Sequence, residues 1–237
     1  MVFGRGKKAK KQESAEREDF QEDVAPEPAE NAADNRRANG PFDVSEVSSR
    51  DGYVDLGALL IAPRDGLQLR LEVEEATQRV VAVTMDLEGS SLQLQAFAAP
   101  RSEGLWDEIR EQLGQSVGGQ GGQVEEIPGE YGVELVAKLP AGAPDGSQGY
   151  RAARFVGVDG PRWFLRGVFG GEAALDREAA AGLEDLFRKI VVIRGENPMP
   201  PRDLLQLRLP KDAAGPVAPS EPDLEQPERG PEITQIG

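Results

Sequence analysis

Alternation of aliphatic and polar side chains dominates the middle of the chain. Leu67-Gln68-Leu69-Arg70-Leu71-Glu72-Val73-Glu74 sets four aliphatics on one side and polar groups on the other, the pattern of a half-buried antiparallel strand. Val80 to Leu87 and Leu92 to Phe97 continue it, joined through Glu88-Gly89-Ser90. Leu105, Ile109 and Leu113 then recur every fourth residue with Trp106 beside them, which predicts an amphipathic helix that stops in Gly118-Gly119-Gln120-Gly121-Gly122. Val133 to Leu139 reads as a further strand and Pro140 to Gly149 as a turn-rich loop. Tyr150 to Val158 and Pro161 to Phe169 read as a hairpin about an Asp159-Gly160 turn. A second helix is expected over Ala173 to Val192, with Leu183, Leu186, Phe187 and Ile190 on its buried stripe. Pro198, Pro200 and Pro201 end it, and Leu204 to Leu209 forms a short closing segment.

Two runs share one order. Leu67 to Leu113 reads strand, strand, strand ending in Phe97, then helix, and Val133 to Ile190 reads strand, strand, strand ending in Phe169, then helix. They are either a degenerate duplication or two instances of a common pattern. The expected fold class is α+β: a predominantly antiparallel sheet from two βββα-like halves, with the two main helices packed on one face.

Composition confines this fold to the middle. Residues 1–40 hold only Val2, Phe3, Phe20 and Val24 as large apolar side chains among eight basic and nine acidic residues. Residues 211–237 are rich in proline and carry six acids and two bases. Neither can bury enough to offset ordering entropy, so both are expected to be disordered tails around a single globular domain at 41–210, which holds 11 of the 13 aromatics. The basic start, Met1 to Lys11, is followed by Gln12-Glu13-Ser14 where a signal peptide would be apolar. The longest uncharged, unbroken run, Leu56 to Ala62, is far short of the roughly 20 apolar residues that span a bilayer. No membrane span is expected, and a cytoplasmic location is.

Two absences restrict the chemistry. There is no histidine and no cysteine, which excludes Ser-His-Asp and Cys-His nucleophilic sites, Cys/His zinc sites, disulfides and redox dithiols. No catalytic residue, metal or cofactor is expected. The net charge of −15 disfavours general binding to nucleic acid or anionic membrane.

The hairpin carries the most specific surface. With Asp159-Gly160 as the turn, Phe155 lies opposite Phe164, Ala153 opposite Arg166 and Gly157 opposite Arg162. One face then shows Arg151, Phe155, Arg162, Phe164 and Arg166, and the other shows Val156, Val158, Trp163, Leu165 and Phe169 toward the core, with Arg154 at its margin. An exposed Arg/Phe face suits a carboxylate, a phosphate or a stacked base. The same arginines also suit pairing with Glu72, Glu74 or Glu134. Gly118 to Gly122 follows a helix and lacks the Lys-Ser/Thr of a phosphate loop, and the acids Asp107, Glu108, Glu111, Glu125 and Glu126 match no defined metal or acid-base spacing. The reading that follows is a non-enzymatic binding or scaffold protein whose Arg/Phe face contacts a protein partner. The alternatives are a nucleotide or nucleic-acid accessory protein and a carboxylate- or magnesium-dependent hydrolase. Partner identity and oligomeric state are open.

The Met-Val-Phe-Gly-Arg start, Gly40-Pro41-Phe42-Asp43, Tyr53-Val54-Asp55-Leu56-Gly57-Ala58-Leu59, Trp106-Asp107-Glu108-Ile109, Arg162-Trp163-Phe164-Leu165-Arg166-Gly167-Val168 and Asn197-Pro198-Met199-Pro200-Pro201-Arg202 together resemble the actinobacterial family DUF3710, from about residue 40 to 210. The resemblance implies a cytosolic protein encoded near a dUTP pyrophosphatase and an OB-fold nucleic-acid-binding protein, and it supplies no catalytic residues. The inferred architecture is also similar to antiparallel αβα sandwiches of the Mog1/PsbP kind, a likeness of fold alone.

Overall fold

A computed structural model describes residues 37–101, 103–142 and 148–210. The expected tails lie outside it, apart from Arg37 to Gly40. Arg37 already belongs to the fold: it is 7% exposed and its guanidinium bonds the Glu46 carboxylate at 2.7 Å.

Seven strands form the main antiparallel sheet: β4 (Gln68–Glu74), β5 (Arg79–Leu87), β6 (Ser90–Ala98), β7 (Gln123–Gly129), β8 (Gly132–Gly142), β9 (Gln148–Gly160) and β10 (Trp163–Gly170). Their spatial order is β4-β5-β6-β10-β9-β8-β7. Each connection within a run is a hairpin, so every interior strand finds hydrogen-bond partners on both edges. A smaller sheet orders β1 (Phe42–Asp43), β11 (Val191–Val192), β3 (Leu59–Ile61) and β2 (Val54–Asp55) as β1-β11-β3-β2. The helices are α1 (Trp106–Gly119) and α2 (Arg177–Arg188). The class is therefore α+β with mostly antiparallel strands, as the alternation indicates.

The two helices lie on opposite faces of the main sheet, which corrects the expectation of one shared face. Trp163, Leu165 and Phe169 share a core with Val156, Val158 and the α2 residues Leu183, Leu186 and Phe187. Phe164 points the other way and packs with Leu105 and Trp106 at the start of α1. Two glycines mark these approaches: a Cβ on Gly157 would stand 2.3 Å from the Trp106 ring, and one on Gly167 would stand 2.9 Å from the Phe187 ring. β6 pairs antiparallel with β10, and the two meanders run outward from that seam. A twofold axis relating them would stand normal to the sheet and keep both helices on one side, so the halves are not rotational copies. The second half also contains β7, which sequence patterning missed. Its Gln-Val-Glu-Glu-Ile-Pro-Gly sequence is polar because the strand is a sheet edge.

The hairpin turn falls two residues later than expected, at Pro161-Arg162. The register is Trp163↔Gly160, Phe164↔Asp159, Arg166↔Gly157 and Val168↔Phe155. Proline at the first position and a φ of +62° at Arg162 are the features of a type II turn. An even displacement changes every cross-strand partner but leaves each side chain on its original face. Hence Val156, Val158, Trp163, Leu165 and Phe169 do face the core, while the anticipated Phe155–Phe164, Ala153–Arg166 and Gly157–Arg162 pairs do not form.

α2 is shorter than Ala173–Val192. Asp176 caps it by accepting the Glu178 N–H, and the β-branched Val191 and Val192 leave it for the small sheet, between β1 and β3. Its expected stripe, Leu183, Leu186, Phe187 and Ile190, is buried. Residues 202–208 run back as a strap: the Leu205 N–H donates to the Ala96 carbonyl, and isolated bridges join Phe97 to Leu204 and Val80 to Leu207.

Candidate functional site

Long-range contacts hold α1 over its face. The Asp159 carboxylate accepts the N–H groups of Leu105 and Trp106 at 2.7 and 3.3 Å, satisfying donors that a helix N-terminus leaves free. The Trp106 indole N–H donates to the Val133 carbonyl at 2.7 Å, and its ring lies 6.2 Å from that of Phe164. Arg110 binds Asp107 and Glu126 at 2.7 and 2.8 Å and lies over Trp106. The far end of α1 also rests on the sheet, where Val117 is buried, but on the side of the helix toward Phe97 and Phe164 Ile109 and Leu113 are only half-buried, which leaves a gap there.

The gap is a cleft of about 310 Å³ lined by Phe97, Leu105, Ile109, Gln112, Leu113, Ser116, Phe164, Arg166 and Arg202. Arg202, from the strap, pairs with Glu108 on α1. Arg166 sits over the Phe97 ring, 5.8 Å from its centroid, and donates to the side-chain carbonyl of Gln95. The Gln95 amide donates in turn to the Val81 carbonyl at 3.2 Å. The Nε of Arg166 is buried without a partner, and among the described residues no carboxylate pairs with Arg166. Burial alone pushes its pKa below the ordinary arginine value.

The expected site residues separate. Phe155, Phe164 and Arg166 do share one face, but α1 covers it: Phe164 is 0% exposed, Phe155 packs beside it and Arg166 is half-buried. Arg151 is on the same face near the start of β9 and exposed, two pleats from Phe155. Arg162 is in the turn, where its carbonyl accepts the Ala99 N–H. Sequence reasoning missed Phe97, Gln112, Ser116 and Arg202. Ile109 and Leu113 were legible as a helix stripe, and assigning that helix to the other face kept them apart from Phe164 and Arg166.

Arg154, expected at the core margin, is its ionic centre. It is 2% exposed, binds Glu134 at 2.9 Å and Glu184 at 2.8 Å, and lies 4.2 Å from the Phe169 centroid. Arg177 closes the quartet with bonds to Glu134 and Glu184 at 3.1 and 3.0 Å. Its charges balance internally, with Arg154 and Glu134 in the core and Arg177 at the surface. Among the described residues, no group of three or more carboxylates is placed to hold a metal ion. Gly121 and Gly122 terminate α1 and lead into β7. No helix among the described residues is long and apolar enough to cross a membrane.

The fold and cleft define an α+β protein with one helix on each face of an antiparallel sheet and a partly open site under the first. The chain belongs to the DUF3710 family, described as "Protein of unknown function", whose model matches residues 40–215. It is similar to the solution structure of cyanobacterial PsbP (CyanoP) from Synechocystis sp. PCC 6803, at 13% identity and a TM-score of 0.33, over 62% of this chain and 97% of that one. No curated protein matches.

Proposed function

We propose that this is a non-enzymatic binding protein and that it meets a protein partner at the cleft between α1 and the sheet. The observation that carries this reading is Arg166, a half-buried cation that pairs with no carboxylate among the described residues, at the base of an otherwise mostly apolar cleft. Burying an uncompensated charge is costly, and a partner that supplies an acidic group beside an apolar one offsets that cost while covering Ile109 and Leu113. The absence of histidine and cysteine supports binding over nucleophilic catalysis.

The test is affinity capture with the full chain, comparing wild type with Arg166→Ala and Ile109→Glu after thermal melts show that each variant folds. A partner held by wild type, lost by both variants and reconstituted in purified form is the expected result. Equal recovery by all three proteins counts against the cleft as the docking site.

A further inference from the structure

Within the reading that the cleft is the binding site, we infer that the group it selects is a single apolar monocarboxylate, and that phosphate-bearing or polyanionic groups are not its ligands. Four observations support this.

Among the described residues the cleft offers one cation not paired with an acid. Among those residues Arg166 has no acidic partner, Arg202 at the rim is already paired with Glu108, and no lysine lines the cleft. A phosphate group carries up to two charges and three strong acceptor oxygens, and one guanidinium leaves most of that demand unmet. A carboxylate carries one charge and matches a guanidinium in geometry.

The helix N-terminus is also taken. Backbone N–H groups at a helix start are the usual supplement for binding phosphate, but here the Asp159 carboxylate occupies those of Leu105 and Trp106. A second anion there would meet a negative charge.

The walls demand an apolar body. Phe97, Leu105, Ile109, Leu113 and Phe164 supply carbon, and the polar side chains Gln112 and Ser116 are exposed ones from α1. A ligand that placed its charge at Arg166 would therefore have hydrocarbon along most of its length.

Size sets the last limit. A volume of about 310 Å³ is at the small end of ligand pockets. That admits a short acyl or aryl acid, or the last residue of a polypeptide with its own side chain and terminal carboxylate. Both sources share the same chemistry.

The experiment titrates 15N-labelled full-length protein with four probes: 3-phenylpropionate, 3-phenylpropionamide, phenethyl phosphate, and a short acetylated peptide ending in Phe with a free carboxylate. The acids are expected to shift resonances of Ile109, Leu113, Phe164 and Gln95, and the amide and the phosphate to bind at least tenfold more weakly. Arg166→Gln should weaken the acids roughly ten- to a hundredfold, the usual range for losing a charged hydrogen bond. Leu113→Trp, which fills the cleft and leaves Arg166 in place, should abolish binding. A tighter peptide identifies a chain terminus as the source, and an equal or tighter free acid identifies a small molecule. The inference is overturned if no acid shifts the cleft resonances, or if the amide or the phosphate binds as well as the acids. If it fails while partner capture still depends on Arg166, the binding-protein reading stands without this ligand class.

Discussion

The carboxylate of Asp159 accepts the backbone N–H of Leu105 at 2.7 Å across 54 residues of chain. One side chain on β9 thereby caps α1 and holds its start, including the cleft residue Leu105, against one face of the sheet. An N-cap supplied from another element does the work usually done by the residue before the helix, where here Leu105 offers no side-chain bond.

Asp159→Ala should therefore destabilise the protein by about 1 kcal/mol, within the range of lost helix caps, with Asp159→Asn retaining part of the effect. Urea unfolding gives the energy, and amide exchange at Trp106 to Ile109 shows whether the loss is local to the start of α1. Unchanged exchange there would contradict the cap.

Gly157 is required by the approach of Trp106. Gly157→Ala places a methyl 2.3 Å from the indole ring, and overpacking of this kind costs roughly 1–3 kcal/mol. The indole must move off its bond to the Val133 carbonyl, so intrinsic tryptophan fluorescence should shift along with the midpoint of unfolding. A variant as stable as wild type with an unaltered spectrum would show that α1 does not rest on the sheet here.

Removing one member of the buried Arg154–Glu134 pair should cost more than replacing both. Arg154→Leu leaves Glu134, 1% exposed, with only Arg177, and losses of about 3–5 kcal/mol follow from breaking buried pairs. Arg154→Leu combined with Glu134→Leu should recover much of the loss, because it removes the charge that the single change strands. A double-mutant cycle by chemical denaturation measures the coupling.

Alkaline stability should track Tyr131. Its hydroxyl donates to the Glu184 carbonyl at 3.3 Å and its ring meets Phe187 edge-on at 4.8 Å. Burial, with a smaller push from the Glu130 charge, raises its pKa above the ordinary 10.0. Above pH 10 the unfolded chain releases this proton and the folded chain keeps it, so stability is full below pH 10 and falls as pH rises toward the folded value. Absorbance titration at alkaline pH should show one tyrosine silent until the protein unfolds. Tyr131→Phe should remove that silent fraction and flatten the alkaline loss.

Much of this fold is legible in local pattern. The alternations from Leu67 to Leu71, in β5 and in β10 assign sides correctly because successive residues in a strand point to opposite faces, whereas a register shift between Glu72 and Val73 leaves the expected core residue Val73 49% exposed. Leu183, Leu186 and Phe187 show the buried stripe of α2 in the same way. The candidate site was half legible. Phe155, Phe164 and Arg166 share a face under either two-residue turn, since moving it from Asp159-Gly160 to Pro161-Arg162 preserves parity. Arg162 was misplaced because its left-handed backbone conformation, not its position in an alternation, decides where it sits. β7 was hidden because an exposed edge strand carries no apolar alternation.

Taken alone, the amino-acid order determined both helices, six of the seven strands of the main sheet and most of the side chains that share a face, and that imidazole and thiol chemistry is absent. These follow from periodicity and composition, which are local. Tertiary structure alone decided that α1 and α2 flank opposite faces, that Arg154 is neutralised by Glu134 and Glu184, and that Arg166 is not paired with an acid among the described residues. Those outcomes rest on contacts between residues distant in the chain, such as Asp159 with Leu105, and a repeating pattern of apolar positions carries no information about which distant group arrives.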